Sequence, residues 1–302
     1  MSRRPRRNRP PRLDLPSPSV PRPGHSGPPS PEAAAAVARR ALIDAHVTGS
    51  HHRLGRDAVR HAIRALTTGD RRALLGVDLG ACEVDEVRAA LVKTHGWDPE
   101  SPRATIDPDA TVAALRVAAA RIREAAAAGA RVAVATTRPA PLLGLAQWVA
   151  GDAAERGASL LTSDAASVEG PGRRQLWWIG DVAVVTDGQS LLAHDAAVGG
   201  DDWLFAVGRP DLVVADRGFA GAAVRAGVET IAWADLDAPA LSVAAARGRP
   251  ILVVPLDEQR PASAYDAVIR ILDEPPPGPP DHGPHGTPDG PEIGQGGGIG
   301  AP

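Results

Sequence analysis

Short apolar runs with strand character alternate along this chain with longer segments of helical periodicity. The strand-like runs lie at residues 73–79, 131–136, 159–162, 176–185, 191–194, 212–215, 230–233 and 251–255. The helical segments lie at residues 33–47, 56–68, 84–94, 108–129, 141–156, 218–227, 238–247 and 261–272. Strands separated by helices favour a parallel sheet with helices packed on both faces. The pattern therefore predicts an α/β fold with a mostly parallel sheet.

Two regions depart from this alternation. Asp187-Gly188 separates two strand-like runs with no helix between them, which predicts an antiparallel hairpin or extension of the sheet. Residues 31–68 contain two helical patterns and no strand-like run. This stretch is predicted to form an N-terminal helical segment that packs on the sheet as a cap or arm.

The two ends of the chain have compositions that cannot form a hydrophobic core. Residues 1–30 hold seven arginines among many prolines and serines. Residues 273–302 hold five acids, no lysine or arginine, and many prolines and glycines. We predict a disordered tail at residues 1–31, one α/β domain at residues 32–273 and a second disordered tail at residues 274–302.

Cysteine content and charge limit the compartment and the partners. The single cysteine, Cys82, cannot form an internal disulfide, and no apolar stretch approaches the roughly 18 residues of a membrane span. We therefore predict a cytoplasmic protein with no membrane partner. The region between the tails is net negative, so nucleic acid contact is predicted to be limited to weak, non-specific contact by the arginine-rich head.

Polar residues follow directly after most of the strand-like runs. In an open α/β sheet, ligands bind beyond the carboxyl ends of the strands, so these residues are the candidates for a site. They are Asp78, Thr137, Arg138, Asp216, Arg217, Gly218, Asp235, Asp237 and Asp257. Because parallel strands present their carboxyl ends to the same side, we expect this set to converge on one edge of the sheet.

The arginines of this set indicate a phosphate site. Arg138 and Arg217 each precede a predicted helix, where free backbone N–H groups and the helix dipole favour an anion. A guanidinium adds bidentate recognition of phosphate oxygens. Thr137 and Gly218 lie beside the arginines and complete the predicted phosphate-binding residues. The alternative is that the aspartates cap helices and pair with the two arginines.

The carboxylates of the same set indicate a metal ion. Hard divalent ions such as Mg²⁺ prefer carboxylate oxygens and stabilise charge in phosphoryl transfer. The predicted metal ligands are Asp216, Asp235, Asp237 and Asp257. The predicted catalytic residues are Asp216, Asp235 and Asp257.

Histidines are absent from the strand-end set, which limits the acid-base chemistry available there. His51 and the other histidines of the N-terminal helical segment are interpreted as surface residues. Two alternatives stay open for a proton-transferring base. Either a cap folded over the site brings in one of these histidines, or His194, after the predicted hairpin, supplies it.

Several sharper motifs are absent from the sequence, and this disfavours Walker ATPases, Gly-x-Gly-x-x-Gly dinucleotide enzymes, Gly-x-Ser-x-Gly hydrolases and His-Glu-x-x-His zincins. Five ordered fragments are instead similar to a known family. They are ATIDP at 104–108, VATTRP at 134–139, PDLVVADRGFAG at 210–221, ADLDAPAL at 234–241 and VPLDE at 254–258. Over residues 35–272 the chain resembles a bacterial family named simply phosphatase. The resemblance implies a phosphate-handling site at the strand ends and a small phosphorylated molecule as its substrate.

The chain departs from the pattern of the family it resembles at two histidines. Arg138 stands where that pattern has the histidine of Gly-His-Pro, and Arg217 stands where it has the histidine of Asp-His-Gly. Arginine keeps affinity for an anion but cannot shuttle a proton near neutral pH. Two main hypotheses follow: a phosphomonoester hydrolase, or a catalytically degenerate regulatory protein that binds a phosphate or nucleotide. A third is a scaffold whose disordered arms recruit a partner.

Overall fold

A computed structural model describes residues 30–164, 166–167, 174–193 and 200–275. The predicted α/β fold with a mostly parallel sheet is confirmed. Disordered tails are predicted at residues 1–31 and 274–302, and all but residues 30, 31, 274 and 275 of them lie outside the described residues, as does His194. The first helix begins at Pro31, within the range predicted to be a tail.

The helices lie close to their predicted positions. They are α1 Pro31–Asp44, α2 Arg56–Thr67, α3 Val84–His95, α4 Pro108–Ala127, α5 Pro139–Glu155, α6 Gly200–Val207, α7 Arg217–Arg225, α8 Pro239–Ala246 and α9 Asp266–Asp273. A short 3₁₀ turn, Ala262–Tyr265, leads into α9. The helix α6 has no counterpart among the predicted segments.

The strands form one large and one small sheet in the described residues. They are β1 Gly49–Gly55, β2 Arg103–Ile106, β3 Arg131–Ala135, β4 Ser159–Leu160, β5 Ala166–Ser167, β6 Gln175–Ile179, β7 Val182–Thr186, β8 Leu212–Asp216, β9 Glu229–Ala234 and β10 Ile251–Pro255. The large sheet has the order β10-β9-β8-β3-β7-β6-β5, with β4 paired to the start of β3. The pairs from β10 to β7 are parallel, whereas β7-β6 and β6-β5 are antiparallel.

The antiparallel extension predicted for the sheet is present, but its hairpin turns at a different place. Strands β6 and β7 turn at Gly180 and Asp181, with Ile179 paired to Val182. Gly180 takes a left-handed conformation, with φ at 61°, which a glycine adopts without strain. The predicted turn at Asp187-Gly188 is closed by one antiparallel bridge from Thr186 to Leu191.

Alternate residues of the central strands face two helical layers, as a sheet covered on both faces requires. One face packs against α2, α3, α6, α7 and α8 through Ala133, Ala135, Val213, Ala215, Ala232 and Ala234. The other packs against α1, α4, α5 and α9 through Val132, Val134, Leu212, Val214, Ile231 and Trp233. The small residues of the first face let those helices approach the sheet closely.

The strand predicted at residues 73–79 was wrong. This segment is a turn followed by irregular backbone, with Leu75 in the left-handed region at φ 52°. Its alternating apolar residues are buried against α7, where a Cβ atom at Gly221 would lie 1.9 Å from the Leu75 carbonyl oxygen. Asp78 is exposed, and its carbonyl accepts a hydrogen bond from Arg249, which precedes β10. Asp78 therefore does not join the carboxyl edge of the sheet.

The prediction of no strand in residues 31–68 was also wrong. Strand β1 lies between α1 and α2 and pairs antiparallel with β2. Just before β1, the Val47 carbonyl accepts a hydrogen bond from the backbone N–H of Asp257, which follows β10. The N-terminal segment is thereby held against the carboxyl edge of the large sheet. Among the described residues, no helix combines the length and apolarity needed to cross a membrane.

Candidate active site

The carboxyl edge of the large sheet gathers ionisable residues from four neighbouring parallel strands. Thr136–Arg138 follow β3, Asp216 ends β8 and Arg217 follows it, Asp235–Asp237 follow β9, and Asp257–Glu258 follow β10. Direct side-chain contacts link these turns to one another. The structure thus brings together the strand-end residues that the sequence singled out, with the exception of Asp78.

Asp216 holds the turn between β3 and α5. Its buried carboxylate accepts a 2.7 Å hydrogen bond from the backbone N–H of Thr137, and the hydroxyls of Thr136 and Thr137 also donate to it. The backbone N–H of Arg138 in turn donates to the Thr136 hydroxyl at 3.0 Å. Both oxygens of Asp216 are engaged in shaping this turn. Its contacts support a positioning role, and they do not support the predicted roles as metal ligand and catalytic group.

Arg217 is the first residue of α7 and has a strained backbone, with φ at 38°. Its side chain is only 3% exposed and lies between two carboxylates. Nε is 2.5 Å from Glu258 Oε2, and Nη2 is 2.5 Å from Asp237 Oδ1. A left-handed non-glycine residue costs about 1–3 kcal/mol and persists where its surroundings fix it, which is common at functional sites. Gly218 follows it, buried beneath the start of α6.

Arg138 approaches the same carboxylate from the neighbouring turn. Its Nε lies 4.0 Å from Glu258 Oε2, the atom that Arg217 contacts. The side chain of Arg138 is 14% exposed and that of Asp237 is 25% exposed, so this side of the site is the one open to solvent. Two guanidinium groups therefore converge on one position now held by a carboxylate oxygen.

His51, on β1, enters the site beside β9 and β10. Its buried Nε2 lies 2.9 Å from Asp235 Oδ2 and 3.6 Å from Asp257 Oδ2. Its Nδ1 accepts hydrogen bonds from the backbone N–H groups of Arg53 at 3.1 Å and Leu54 at 2.9 Å. One ligand-type atom from each of His51, Asp235 and Asp257 lies within 4.8 Å of the others, so the three residues form a candidate metal cluster. The predicted ligand Asp237 instead pairs with Arg217.

Burial and charge shift the acid-base properties of these groups. Burial holds the pKa of Glu258 well above its usual range, although the charge of Arg217 opposes this. Burial likewise raises the pKa of Asp235, against the hydrogen bond from His51. Burial acts to lower the pKa of His51, but the hydrogen bond and charge of Asp235, with the charges of Asp257 and Asp237, outweigh it and raise the pKa.

Asp257 is anchored through its backbone and through one carboxylate oxygen. Its N–H donates to Val47, its carbonyl accepts a 2.7 Å hydrogen bond from the Tyr265 hydroxyl, and Oδ1 accepts one from the N–H of Gln259 at 2.9 Å. Oδ2 is buried and accepts no hydrogen bond from the described residues. This oxygen faces the cluster with His51 and Asp235.

Sequence reasoning missed two residues of this edge, His51 and Glu258. Glu258 adjoins Asp257 and lies inside the VPLDE fragment, so its position beyond β10 was a usable signal. The sequence around His51 held no signal of its position, because β1 forms only by pairing with β2, which follows α2 and α3 in the chain. The interpretation of His51 as a surface residue was wrong, and the alternative of a histidine brought in by the N-terminal segment fits its position.

Comparison with known proteins bears on the chemistry of this edge. The family model named Phosphatase matches residues 33–274. A protein of Streptomyces coelicolor named Phosphatase SCO2771 is 35% identical over 213 residues, an alignment that covers 67% of this chain and 80% of that protein. The aligned share of both chains and the extent of the family match agree with the resemblance seen in the five sequence fragments. This chain belongs to the Phosphatase family.

Proposed function

We propose that this chain is a phosphomonoester hydrolase that acts on a small phosphorylated substrate. The observation that carries the proposal is the convergence of Arg138 and Arg217 on Glu258 Oε2, next to the buried cluster of His51, Asp235 and Asp257. An anion site and a group of buried carboxylates at one strand edge are the two parts that phosphoryl transfer to water needs.

The phosphate group would bind at the open side of the edge. Arg138 is part-exposed there, and Arg217 lies behind it. The two residues stand at the starts of α5 and α7, where the helix dipole adds to the attraction for an anion. Gly218 adjoins Arg217 and is retained in the proposed phosphate site, whereas Thr137 donates both its N–H and its hydroxyl to Asp216 and is proposed to shape the turn that carries Arg138.

The hydrolytic step would take place at the solvent-open side of the edge, where Asp237 lies. A water oxygen forms a bond to phosphorus while the bond from phosphorus to the ester oxygen breaks. Asp237, whose side chain is 25% exposed, accepts the proton from the water, and the leaving oxygen takes up a proton from solvent on the same side. His51 fixes the neighbouring Asp235 through its Nε2 hydrogen bond.

A divalent cation, proposed as Mg²⁺, fits this edge. The carboxyl groups of Asp216, Asp235, Asp237, Asp257 and Glu258 share it with two guanidinium groups and one imidazole, so carboxylate oxygens are the most abundant potential ligands. Asp235 and Asp257 would hold the ion, because Oδ2 of Asp257 accepts no hydrogen bond from the described residues. Such an ion, when bound, neutralises charge and polarises phosphate oxygens.

The alternative of binding without turnover rested on the lack of a histidine among the strand-end residues. Carboxylates of this edge can transfer the proton that the replaced histidines would have carried, and His51 adds a titratable side chain within hydrogen-bond distance of Asp235, so that argument no longer favours a degenerate site. A cytoplasmic location rests on the single cysteine and remains a prediction.

The direct test is release of inorganic phosphate from p-nitrophenyl phosphate and a panel of small phosphorylated metabolites, with and without Mg²⁺. We expect hydrolysis by the unmodified chain and a KM raised about 10-fold or more by Arg138→Ala, because a charged hydrogen bond to the phosphate is lost. Arg121→Ala is the matched control, since Arg121 pairs with Glu229 at the opposite edge. If none of the substrates is hydrolysed, both with Mg²⁺ and without it, the proposal is wrong.

A further inference from the structure

We infer that the cation site of this chain uses carboxylate oxygens alone, from Asp235 and Asp257, and that His51 is a positioning residue for Asp235 and not a metal ligand. The inference deepens the proposed function and rests on its cation. The cluster could hold a cation in two ways. A histidine with two carboxylates is a typical ligand set of a transition-metal site, whereas two carboxylates alone are typical of a site for a hard ion.

The hydrogen bonds of the His51 ring determine which nitrogen carries a hydrogen. Nδ1 faces the N–H groups of Arg53 and Leu54, so in a neutral ring it is the acceptor and the hydrogen lies on Nε2. A protonated ring would add a hydrogen at Nδ1 and would keep the one on Nε2. In both forms Nε2 donates to Asp235 Oδ2 and has no lone pair for a cation.

Rotating the ring by a half turn does not remove this constraint. Carbon atoms would then occupy both nitrogen positions, and the bonds to Leu54 and Asp235 would be lost together. A histidine that ligates a metal normally donates its second ring N–H to a carbonyl or carboxylate. His51 has the reverse arrangement, with two donors at its second nitrogen.

An independent observation supports cation binding by the carboxylates. Asp257 is 1% exposed, and its Oδ2 accepts no hydrogen bond from the described residues while lying 3.6 Å from His51 Nε2. A buried carboxylate oxygen without a partner is costly, and native structures normally satisfy such an atom. A hard cation bound by Asp257 Oδ2 and by Asp235 would supply the partner.

The chemistry of this ligand set selects the class of ion. Carboxylate oxygens suit Mg²⁺ and Mn²⁺, whereas imidazole nitrogen favours zinc and later transition metals. Mg²⁺ usually takes only one or two protein carboxylates, and water and substrate phosphate complete its shell. Two aspartates at the same sheet edge as Arg138 and Arg217 match that pattern.

The test uses Mn²⁺ as a paramagnetic probe with the full chain. Electron paramagnetic resonance titration is expected to show one bound Mn²⁺, and pulsed spectra are expected to show no directly coordinated ¹⁴N. Asp257→Asn should weaken Mn²⁺ binding about 10-fold or more. His51→Gln keeps a donor toward Asp235 and should stay within about threefold of the unmodified chain, whereas His51→Ala should lose about 10-fold. Asp57→Asn, at a side chain 98% exposed, is the matched control.

Two results would overturn the inference: absence of Mn²⁺ binding at millimolar concentration, or ¹⁴N coupling from a coordinated imidazole. The second needs no variant, so it holds even if a substitution prevents folding. Phosphate release in EDTA, measured in parallel, separates this inference from the proposed function. If the protein hydrolyses phosphate esters but does not bind Mn²⁺, the proposed hydrolase activity stands and the proposed cation site is wrong. If it binds Mn²⁺ but does not hydrolyse them, the cation site stands and the hydrolase activity is wrong.

Discussion

The two edges of the large sheet carry the same pairing of arginine with carboxylate in very different surroundings. At the amino edge, Arg131 pairs with Asp211 at 2.8 Å, and both side chains are 49% exposed. At the carboxyl edge, Arg217 pairs with Glu258 at 2.5 Å, and the two side chains are 3% and 0% exposed. The residue types and distances are alike, and only the burial differs.

Burial reverses the effect of a neighbouring arginine on a carboxyl group. The hydrogen bond from Arg131 lowers the pKa of exposed Asp211 to about 2. Burial instead raises the pKa of Glu258 although Arg217 touches it. Water compensates the charges at the amino edge, whereas those at the carboxyl edge depend on one another and on whatever binds there. Unusual charge burial, more than charge content, distinguishes the functional edge.

The opposite, amino edge of the sheet carries a surface groove. A groove of about 270 Å³ lies at the amino edge, lined by Arg121, Glu124, Ala125, Asp211 and Glu229 among others. Its charged residues are part-exposed, and two of its acids already have arginine partners. The pKa of Asp211 in the groove is shifted by an exposed partner, whereas the groups of the carboxyl edge are shifted by burial together with charged partners, which is the combination that marks a functional site.

The largest difference between the edges is expected in the free energy of unfolding. Arg217→Ala should lower it by about 3–5 kcal/mol, because Glu258 would stay buried without its guanidinium partner. Arg121→Ala, which removes a half-exposed pair with Glu229, should lower it by less than about 1 kcal/mol. Urea unfolding followed by circular dichroism measures both. Similar losses for the two variants would show that burial does not separate the edges; Arg217→Lys serves as reference if Arg217→Ala does not fold.

A somewhat smaller effect is expected in the pH dependence of stability. Burial lowers the pKa of His95, behind the carboxyl edge, from 6.5 to about 4. Its neutral form is therefore the folded form, so its contribution is complete above pH 6.5 and is lost as pH falls toward 4. At 1.36 kcal/mol per pH unit, the loss amounts to about 3 kcal/mol.

Unfolding free energies between pH 7 and pH 4 test this for His95→Gln, which keeps the donor toward the Ala234 carbonyl. The variant should lose less stability than the unmodified chain over that range. His61→Gln, at an exposed position on α2, should leave the slope unchanged. An unchanged slope in His95→Gln would mean that another group carries the acid sensitivity.

The smallest expected effect is the response of the amino edge to salt. Surface ion pairs are screened at high ionic strength, whereas buried pairs are screened much less. The cost of Arg121→Ala should therefore fall close to zero in 1 M NaCl, and the cost of Arg217→Ala should largely remain. Unfolding curves at low and high salt give both values. Equal sensitivity to salt would place Arg217 and Glu258 in contact with solvent.

Elements with a local signal could be predicted well from the sequence. Helix α4 begins where Asp107 and Pro108 predict it, with Asp107 accepting a 3.0 Å hydrogen bond from the N–H of Asp109. The central strands β3, β8, β9 and β10 and the polar residues after them follow from their apolar runs. Parallel order then places those residues at one edge.

Features that depend on distant pairing could not be predicted. Strand β1 exists only through β2, so His51 was assigned to a helical region. The segment at residues 73–79 has an alternating pattern because it packs on α7, where Gly221 allows close approach. The different roles of the aspartates could not be predicted either, since Asp216 accepts a hydrogen bond from the N–H of Thr137 and Asp237 accepts one from Arg217. Sequence spacing cannot distinguish these contacts from shared metal ligation.

The most direct test of the central claim compares phosphate release by two asparagine variants, one at each edge. Asp257→Asn removes the charge of the carboxylate oxygen that is proposed to bind the cation and should lower kcat about 10²-fold or more, with the fold retained. Asp211→Asn, at the exposed pair of the amino edge, should leave kcat unchanged. An Asp257→Asn protein that folds and turns over at the rate of the unmodified chain would contradict the assignment of the active site to the buried carboxyl edge.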